Sequence, residues 1–271
     1  MRAPVLLLIL LASGPALAWG ECEHTAERRV EIDAAGLKTL ALRAGAGDLS
    51  VVGEGGRTRI EAVGKACAGS ADQLAKIQLT GSRDGDRARL DAVLPDSGWG
   101  DDYARLDLSV RVPASIALDG QDSSGEARIE GVAALEFIDS SGELRIARIA
   151  GPVAVDDSSG AIAIEASTGP VTVRSDSSGD ITIRGIATDV EVVTDSSGDI
   201  DIRDVRGNAR IGRDSSGAIE FTDIGGSAIV GTDSSGSIDA QGIGGDFRVD
   251  RDGSGSIDHR EVRGTVSVPR D

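Results

Sequence analysis

The chain has 271 residues, of which 28 are Lys or Arg and 45 are Asp or Glu, so its formal net charge is −17 at pH 7. This acidity argues against nucleic acid and anionic lipid as partners, because both are bound through clusters of Lys and Arg. Aromatic residues make up only 2% of the chain, with three Phe, two Trp and one Tyr. The core must therefore be built mainly from Ile, Val, Leu and Ala.

The N-terminus, residues 1–18, reads MRAPVLLLILLASGPALA. One Arg, an apolar run over residues 5–11 and the small-residue sequence Ala16-Leu17-Ala18 are typical of a secretory signal peptide. Cleavage after Ala18 would leave 27 basic and 45 acidic side chains, a net charge of −18. No later segment approaches the roughly 18 apolar residues that a membrane span needs. We therefore expect an exported, soluble mature chain without a transmembrane segment, located in the periplasm or outside the cell.

The chain has two cysteines, Cys22 and Cys67. In an oxidising compartment such a pair most simply forms one disulfide, which here would stabilise the fold by about 3–4 kcal/mol. The alternative is a lipid anchor on Cys22, but residues 19–21 are bulky and acidic, whereas such signals are small and apolar at these positions. The disulfide is the favoured prediction.

Residues 19–115 are predicted to form an N-terminal β cap. The stretch at 46–51, Ala-Gly-Asp-Leu-Ser-Val, resembles a repeat found later in the chain, and residues 77–80 and 87–93 flank a hairpin signal at Asp84-Gly85. Residues 106–112 alternate between apolar and polar side chains, and residues 95–102, with Trp99, are predicted to be a loop. Such a cap would cover the open first coil of a repeat array.

Residues 116–271 are predicted to form a repeat domain, because the motif Asp-Ser-Ser-Gly recurs through them at intervals of 17, 18 and then 19 residues. The eighth copy is a variant, Asp-Gly-Ser-Gly. The motifs begin at Asp122, Asp139, Asp157, Asp176, Asp195, Asp214, Asp233 and Asp252.

Aligning the repeats produces apolar columns with the alternation of half-buried strands. The first column holds Ala127, Leu144, Ile162, Ile181, Ile200, Ile219, Ile238 and Ile257. The column two residues further on ends with Ala240 and His259. Two short strands per 19 residues leave no room for a crossover helix, so the sequence predicts an all-β fold: a parallel β-solenoid of about eight 19-residue coils.

A calcium-loop pattern overlaps the last repeat. Its candidate ligands are Asp250, Asp252, Ser254, Asp258 and Glu261. The repeat by itself accounts for every feature of the pattern except Asp250 and Glu261, and the Gly-rich flanks cannot form the helices of an EF-hand. In an extended strand, Asp258 and Glu261 would lie roughly 10 Å apart, which is too far for two ligands of one calcium ion. A coincidence of turn and motif is favoured, and Ca²⁺ stays the alternative cofactor.

The aspartates that begin the repeats have two interpretations. Asp, Ser and Gly are typical turn residues, because Asp accepts backbone N–H groups and Gly adopts positive φ. Alternatively, the row of carboxylates and hydroxyls collects divalent cations along one edge of the solenoid. Two arginine columns are expected to neutralise the row in part: Arg184, Arg203 and Arg260, and Arg213, Arg251 and Arg270.

The sequence offers little for catalysis. The two histidines, His24 and His259, lie near opposite ends, and none of the common hydrolase or phosphate-loop motifs occurs. Some solenoids cleave acidic polysaccharides with clustered aspartates, and the outward positions here include Asp199, Asp201, Glu220, Asp239 and Asp258. The scarcity of aromatic residues argues against this activity, since sugar rings usually stack on Trp or Tyr.

The Asp-Ser-Ser-Gly-Asp-Ile-x-Ile repeats, the Gly-Ala-Gly-Asp-Leu-Ser-Val stretch at 45–51 and the signal peptide resemble the bacterial putative-adhesin family of β-strand repeats, over most of residues 30–271. The resemblance implies a cell-envelope protein with no catalytic residues. We therefore expect a non-enzymatic protein without a cofactor, whose acidic Ser/Asp-rich surface meets an unidentified protein or glycan. A divalent-cation-binding protein is the alternative, and a polysaccharide-active enzyme comes third.

Overall fold

The computed structural model describes residues 22–95 and 103–269. The predicted signal peptide, Trp99 with most of its predicted loop, and Arg270 lie outside the described residues. The N-terminal elements are β1 His24–Asp33, β2 Thr39–Arg43, β3 Leu49–Glu54, β4 Arg59–Ala68, α1 Ala71–Lys76, β5 Gln78–Asp84, β6 Arg87–Val93 and β7 Ala104–Pro113.

The remaining strands alternate between two sheets along the chain. They are β8 Ala117–Gln121, β9 Ala127–Glu130, β10 Ala134–Ile138, β11 Leu144–Ala147, β12 Val153–Asp156, β13 Ile162–Glu165, β14 Val171–Ser175, β15 Ile181–Ile186, β16 Val190–Thr194, β17 Ile200–Val205, β18 Ala209–Arg213, β19 Ile219–Ile224, β20 Ala228–Asp233, β21 Ile238–Ile243, β22 Phe247–Asp252, β23 Ile257–Val262 and β24 Val266–Ser267.

The strands form two 12-stranded sheets. Sheet A has the order β1-β4-β7-β3-β9-β11-β13-β15-β17-β19-β21-β23, and sheet B has the order β5-β6-β2-β8-β10-β12-β14-β16-β18-β20-β22-β24. From β8 onward each coil contributes one strand to each sheet, and neighbouring coils pair in parallel. The predicted parallel β-solenoid of 19-residue coils is confirmed.

The core lies between the sheets and consists of stacked aliphatic side chains. In sheet A, Ile181 pairs in register with Ile200, and Ile200 with Ile219, and all three are buried. Each such side chain contributes about 1.5–3 kcal/mol of burial free energy, so the stack needs its neighbouring coils. The array is therefore stable as a whole rather than coil by coil.

The few aromatic side chains are accommodated by small neighbours. Phe137 is fully buried and pairs with Gly120, at which a Cβ atom would lie 2.5 Å from the phenyl ring. Phe221 is likewise followed in register by Ala240. A small residue next to each Phe compensates for the volume of the ring, as close packing requires.

The N-terminal region joins the solenoid directly. β2 and β3 pair in parallel with β8 and β9, whereas β1, β4 and β7 form an antiparallel run at the end of sheet A. β5 and β6 form the antiparallel hairpin expected around Asp84-Gly85. The helix α1 was not predicted; Ser70 caps it by accepting the backbone N–H of Gln73 at 3.2 Å.

The predicted disulfide is present and fastens the outermost strand of sheet A. It joins Cys22, which precedes β1, to Cys67 at the end of β4, with their Cα atoms 5.5 Å apart. Because β1 pairs only with β4 in this sheet, the bond adds a covalent link at an edge that is otherwise held by hydrogen bonds on one side.

At the C-terminal end the second apolar column ends in an exposed residue. His259 aligns with Ala240 in the pairing of β21 and β23, but its side chain is exposed and contacts the ring of Phe247, with centroids 6.0 Å apart. β23 is the last described strand of sheet A, so residues at these positions lack a covering coil among the described residues.

Candidate functional site

The Asp-Ser-Ser-Gly turns form one corner of the solenoid, where each coil passes from sheet B to sheet A. In a representative coil, Asp176 follows the end of β14 and Gly179 stands two residues before β15. Because the coils stack in register, successive turns lie directly above one another. We name the stacked aspartates the aspartate ladder: Asp122, Asp139, Asp157, Asp176, Asp195, Asp214 and Asp233.

The glycine of each turn is required by both conformation and space. Gly179 has φ +131°, and a Cβ atom there would lie 1.8 Å from the carbonyl oxygen of Gly160 in the preceding coil. Gly198 repeats this arrangement against Gly179, with φ +128° and a distance of 1.9 Å. Neither the backbone conformation nor the contact tolerates a side chain.

The second serine of most turns bonds to the preceding coil. The Ser197 hydroxyl donates to the carbonyl oxygen of Ser177 at 3.1 Å, and the Ser216 hydroxyl donates to that of Ser196 at 3.2 Å. Since the two coils are thereby linked through side chain and backbone, these hydroxyls serve the stacking of the corner. No basic side chain is among their hydrogen-bond partners, as a nucleophilic serine would need.

The ladder aspartates are buried, with relative exposures of 0–3%. One carboxylate oxygen of six of them accepts a backbone N–H of a following serine, such as Ser196 N to Asp195 Oδ1 at 2.8 Å and Ser216 N to Asp214 Oδ1 at 3.3 Å. The other oxygen, Oδ2, has no hydrogen-bond partner among the described residues in any of the seven. This burial was not predicted, because Asp in a turn is normally solvent-exposed.

Burial has a direct electrostatic consequence. Desolvation, together with the charges of the neighbouring carboxylates, raises the pKa of Asp122 and Asp195 to about 7 and that of Asp157 and Asp214 to about 6. Burial also raises the pKa of the remaining three members, Asp139, Asp176 and Asp233. The hydrogen bonds from the serine N–H groups oppose this shift.

The expectation that Arg184, Arg203 and Arg260 neutralise the ladder is wrong. Arg184 contacts Glu165, Arg203 Nε donates to Asp201 Oδ1 at 3.0 Å, and Arg260 lies 3.8 Å from Asp239. These partners are acidic residues in strands of sheet A, and none of them belongs to the ladder. The alternation of the sequence identifies the outward positions but does not show which corner a long side chain can reach.

The second arginine column lies on the other sheet. Arg213 at the end of β18 and Arg251 in β22 are exposed and align with Thr232 between them. The third member, Arg270, lies outside the described residues.

The candidate calcium ligands are distributed over both sheets. Asp250 and Asp252 belong to β22 in sheet B, whereas Asp258 and Glu261 belong to β23 in sheet A, and Ser254 lies in the turn between them. The carboxylate of Asp250 accepts the guanidinium of Arg248. Within residues 22–95 and 103–269, no group of three or more His, Cys, Asp and Glu side chains is placed to hold a metal ion. Calcium binding stays a prediction.

The outward acidic residues form a straight row on sheet A. Asp201, Glu220, Asp239 and Asp258 align in register on four successive strands, and we name them the acidic row. Asp199 belongs to the turn instead, where its carboxylate accepts the N–H of Ala218 at 2.8 Å. The row thus places four carboxylates about 4.8 Å apart on the outer face of sheet A, and two of them, Asp201 and Asp239, lie beside an arginine.

A second ladder, which was not predicted from the sequence, stabilises the corner that precedes each of the last five described strands of sheet B, β16 to β24. Asp189 Oδ1 accepts the N–H of Asn208 at 2.7 Å, and Asn208 Oδ1 accepts that of Ser227 at 2.9 Å. The pattern continues through Asp246 to Thr265. The signal was a column of short polar residues at a spacing of 19, which binds successive coils through side chain and backbone.

None of the helices in the described part of the chain is long and apolar enough to cross a membrane.

Comparison with known proteins returned solved structures but no family and no curated protein: no family model matches, and no curated protein matches. Among the similar structures, a putative adhesin from Bacteroides fragilis is 14% identical with a TM-score of 0.42, covering 91% of this chain and 98% of its own. A putative adhesin from Parabacteroides distasonis is 15% identical with a TM-score of 0.40, covering 90% and 97%. A third, from Parabacteroides merdae, is 13% identical with a TM-score of 0.36, covering 92% and 97%. At these identities, function must be argued from the chain's own residues.

Proposed function

We propose that this chain is an exported, non-enzymatic, adhesin-like protein of the bacterial cell envelope, which binds a protein or glycan through an outer face of its solenoid. The most direct support is that the polar groups of the repeated motif are engaged within the solenoid. Its carboxylates are buried and its hydroxyls bond to the preceding coil, as in Asp195 and Ser197. The outer faces of the two sheets are the surfaces left for a partner.

Two features support export. Residues 1–18 have the pattern of a signal peptide. Cys22 and Cys67 form a disulfide, which persists in oxidising compartments such as the periplasm and the cell exterior. The resemblance of the repeats to the putative-adhesin family supports the same location.

We assign the binding surface to the outer face of sheet A that bears the acidic row. Glu220 accepts only from Thr222, at 3.3 Å, and Asp258 has no basic partner among the described residues, so both carboxylates are open to a ligand. A partner that matches this face presents cationic or hydroxyl groups at the spacing of the coils. Because the acidic side chains recur from coil to coil, binding draws on many weak contacts rather than on one pocket.

The test is adhesion of beads coated with residues 19–271 to immobilised envelope glycans and envelope protein extracts. A variant with the acidic row changed to amides (Asp201→Asn, Glu220→Gln, Asp239→Asn, Asp258→Asn) should lose retention. The matched control neutralises four acids on the outer face of sheet B (Asp119→Asn, Glu136→Gln, Asp156→Asn, Glu191→Gln) and should keep it.

The same preparations distinguish binding from cleavage. Incubation of the chain with acidic polysaccharides should release no new reducing ends. Release that disappears in Glu220→Gln would show a polysaccharide-active enzyme and contradict the proposal. Equal retention of both four-residue variants would remove the acidic row from the proposed surface.

A further inference from the structure

We propose that six consecutive aspartates of the ladder, Asp122 to Asp214, hold protons that are shared between successive coils, so that the solenoid is stabilised by mild acid. The inference concerns the corner of the solenoid rather than the outer face, and it is independent of the proposed binding function.

The first step is that each buried carboxyl group of the ladder has an oxygen without a hydrogen-bond donor among the described residues. In each of the six aspartates Oδ2 is buried and has no donor within the described ranges, and in Asp122 both oxygens lack one. An ionised carboxylate can only accept, so a buried row of ionised groups leaves every Oδ2 unsatisfied. A protonated carboxyl gains an O–H donor, which the Oδ2 of the next rung can accept. One proton for each pair of rungs therefore gives the Oδ2 atoms of both rungs a hydrogen-bond partner.

The second step is the continuity of the row. The carboxylates of Asp176 and Asp214 both raise the pKa of Asp195, and those of Asp139 and Asp176 raise the pKa of Asp157. Asp139 acts in the same way on Asp122. Every neighbouring pair from Asp122 to Asp214 is therefore close enough to interact.

The third step concerns the groups that face the ladder. Besides the neighbouring rungs, the groups acting on it are the serine N–H groups of the turns, Asp48 beside Asp122, and Asp233 beside Asp214. Both extra side chains are acidic, and no basic side chain is among the main influences on the ladder. With no counter-charge on the described elements packed against it, protonation is the means by which the row loses its charge.

A row of cations is the competing occupant. Calcium requires six to eight oxygen ligands, whereas each rung offers one unpartnered Oδ2. The described residues contain no cluster able to hold a metal ion. Protons, in contrast, satisfy the unpartnered Oδ2 atoms without any further ligand.

The sign of the pH effect follows from the raised pKa values. The folded chain binds these protons more tightly than the unfolded chain, in which Asp has a pKa of about 3.9. The contribution of the ladder to stability is therefore complete below about pH 4 and is lost as the pH rises through 6 to 7. For a group of pKa about 7, the unfolding equilibrium constant should increase roughly 80-fold between pH 5 and pH 8.

The experiment is denaturant unfolding of residues 19–271 at pH 5, 6, 7 and 8 in chelator, with the variants Asp195→Asn and Asp204→Asn. The wild-type midpoint should fall towards pH 8. Asp195→Asn, which places a neutral group of the same shape in the middle of the ladder, should flatten the profile. Asp204→Asn changes an exposed aspartate in the same repeat and should leave the profile as in the wild type.

Infrared spectroscopy supplies a readout that does not depend on how a variant folds. The folded wild type at pH 6 should show the C=O band of protonated carboxyl groups, and this band should disappear towards pH 8. A midpoint that is flat or rises from pH 5 to 8, or the absence of the band at pH 6, would overturn the proposal. An increase in the midpoint at pH 8 when calcium replaces chelator, if it persists in Asp250→Ala, would instead place cations in the row and overturn the proposal equally.

Discussion

At the scale of single residues, each member of the repeated motif has a separate task. Asp195 is buried and accepts a backbone N–H, Ser197 bonds to the preceding coil, and Gly198 allows two coils to approach. The motif therefore repeats because each coil must make the same three contacts with its neighbour. A repeated polar motif of this kind is explained by the architecture before any ligand is invoked.

The glycine requirement gives a prediction for Gly179→Ala. The new methyl group would occupy a backbone conformation that is unfavourable for L-residues and would clash with the carbonyl of Gly160, so we expect a loss of more than about 2 kcal/mol in the free energy of unfolding. The control is Gly185→Ala, where φ is also positive, at +69°, but the nearest atom is 3.5 Å away.

Denaturant unfolding of both variants measures the difference. We expect Gly185→Ala to cost about 1 kcal/mol, which is the conformational term alone. Equal losses of stability in the two variants would mean that the coils do not approach each other closely at the Asp-Ser-Ser-Gly corner.

At the scale of the elements, parallel strands stack identical side chains on one another. Ile200 in β17 lies between Ile181 of β15 and Ile219 of β19 and is completely buried. Removing one member leaves a cavity bounded by two coils that are fixed by their own hydrogen bonds. Such a site relaxes little, which places the cost of truncation towards the high end of the usual range.

Ile200→Ala should therefore reduce the free energy of unfolding by about 3–5 kcal/mol. The comparison is Val193→Ala in β16, whose side chain is 40% exposed on the outer face. That variant should lose less than about 1 kcal/mol. Chemical denaturation of the two proteins under one set of conditions tests the pair, and a cost at Ile200 no greater than at Val193 would contradict the stacked core.

At the scale of the whole molecule, the sequence was sufficient for the architecture because the period of 19 fixes which residues stack. The column from Ile162 to Ile238 was predicted correctly from the spacing, and the disulfide from the presence of two cysteines in a chain expected to be exported. The helix α1 was missed, although Ser70 and Gln73 form a capping-box pattern, because only one short helical turn follows.

The electrostatics of the corner could not be read from the same pattern. Residue type places Asp in a turn but does not say whether the turn closes over its carboxylate, so the burial of Asp195 was not foreseen. Nor does alternation show where a long side chain points along the strand, which is why Arg203 was assigned to the ladder instead of to Asp201. The burial of a carboxylate and the partner that a long side chain reaches both depend on the neighbouring coils. The positions of those coils follow only from the assembled fold.

The most direct test of the account is the thermal midpoint of residues 19–271 in excess calcium and in chelator, with Asp250→Ala measured alongside. If the polar side chains of the repeats serve the stacking of coils rather than the binding of ions, the midpoint is the same in both solutions and in both proteins. Binding at a hundredfold excess over the dissociation constant would add about 2.7 kcal/mol of stability. A clear increase in calcium that is lost in Asp250→Ala would show a working site at residues 250–261, and an increase that survives the substitution would place cations at the repeated turns. Either increase would contradict the account.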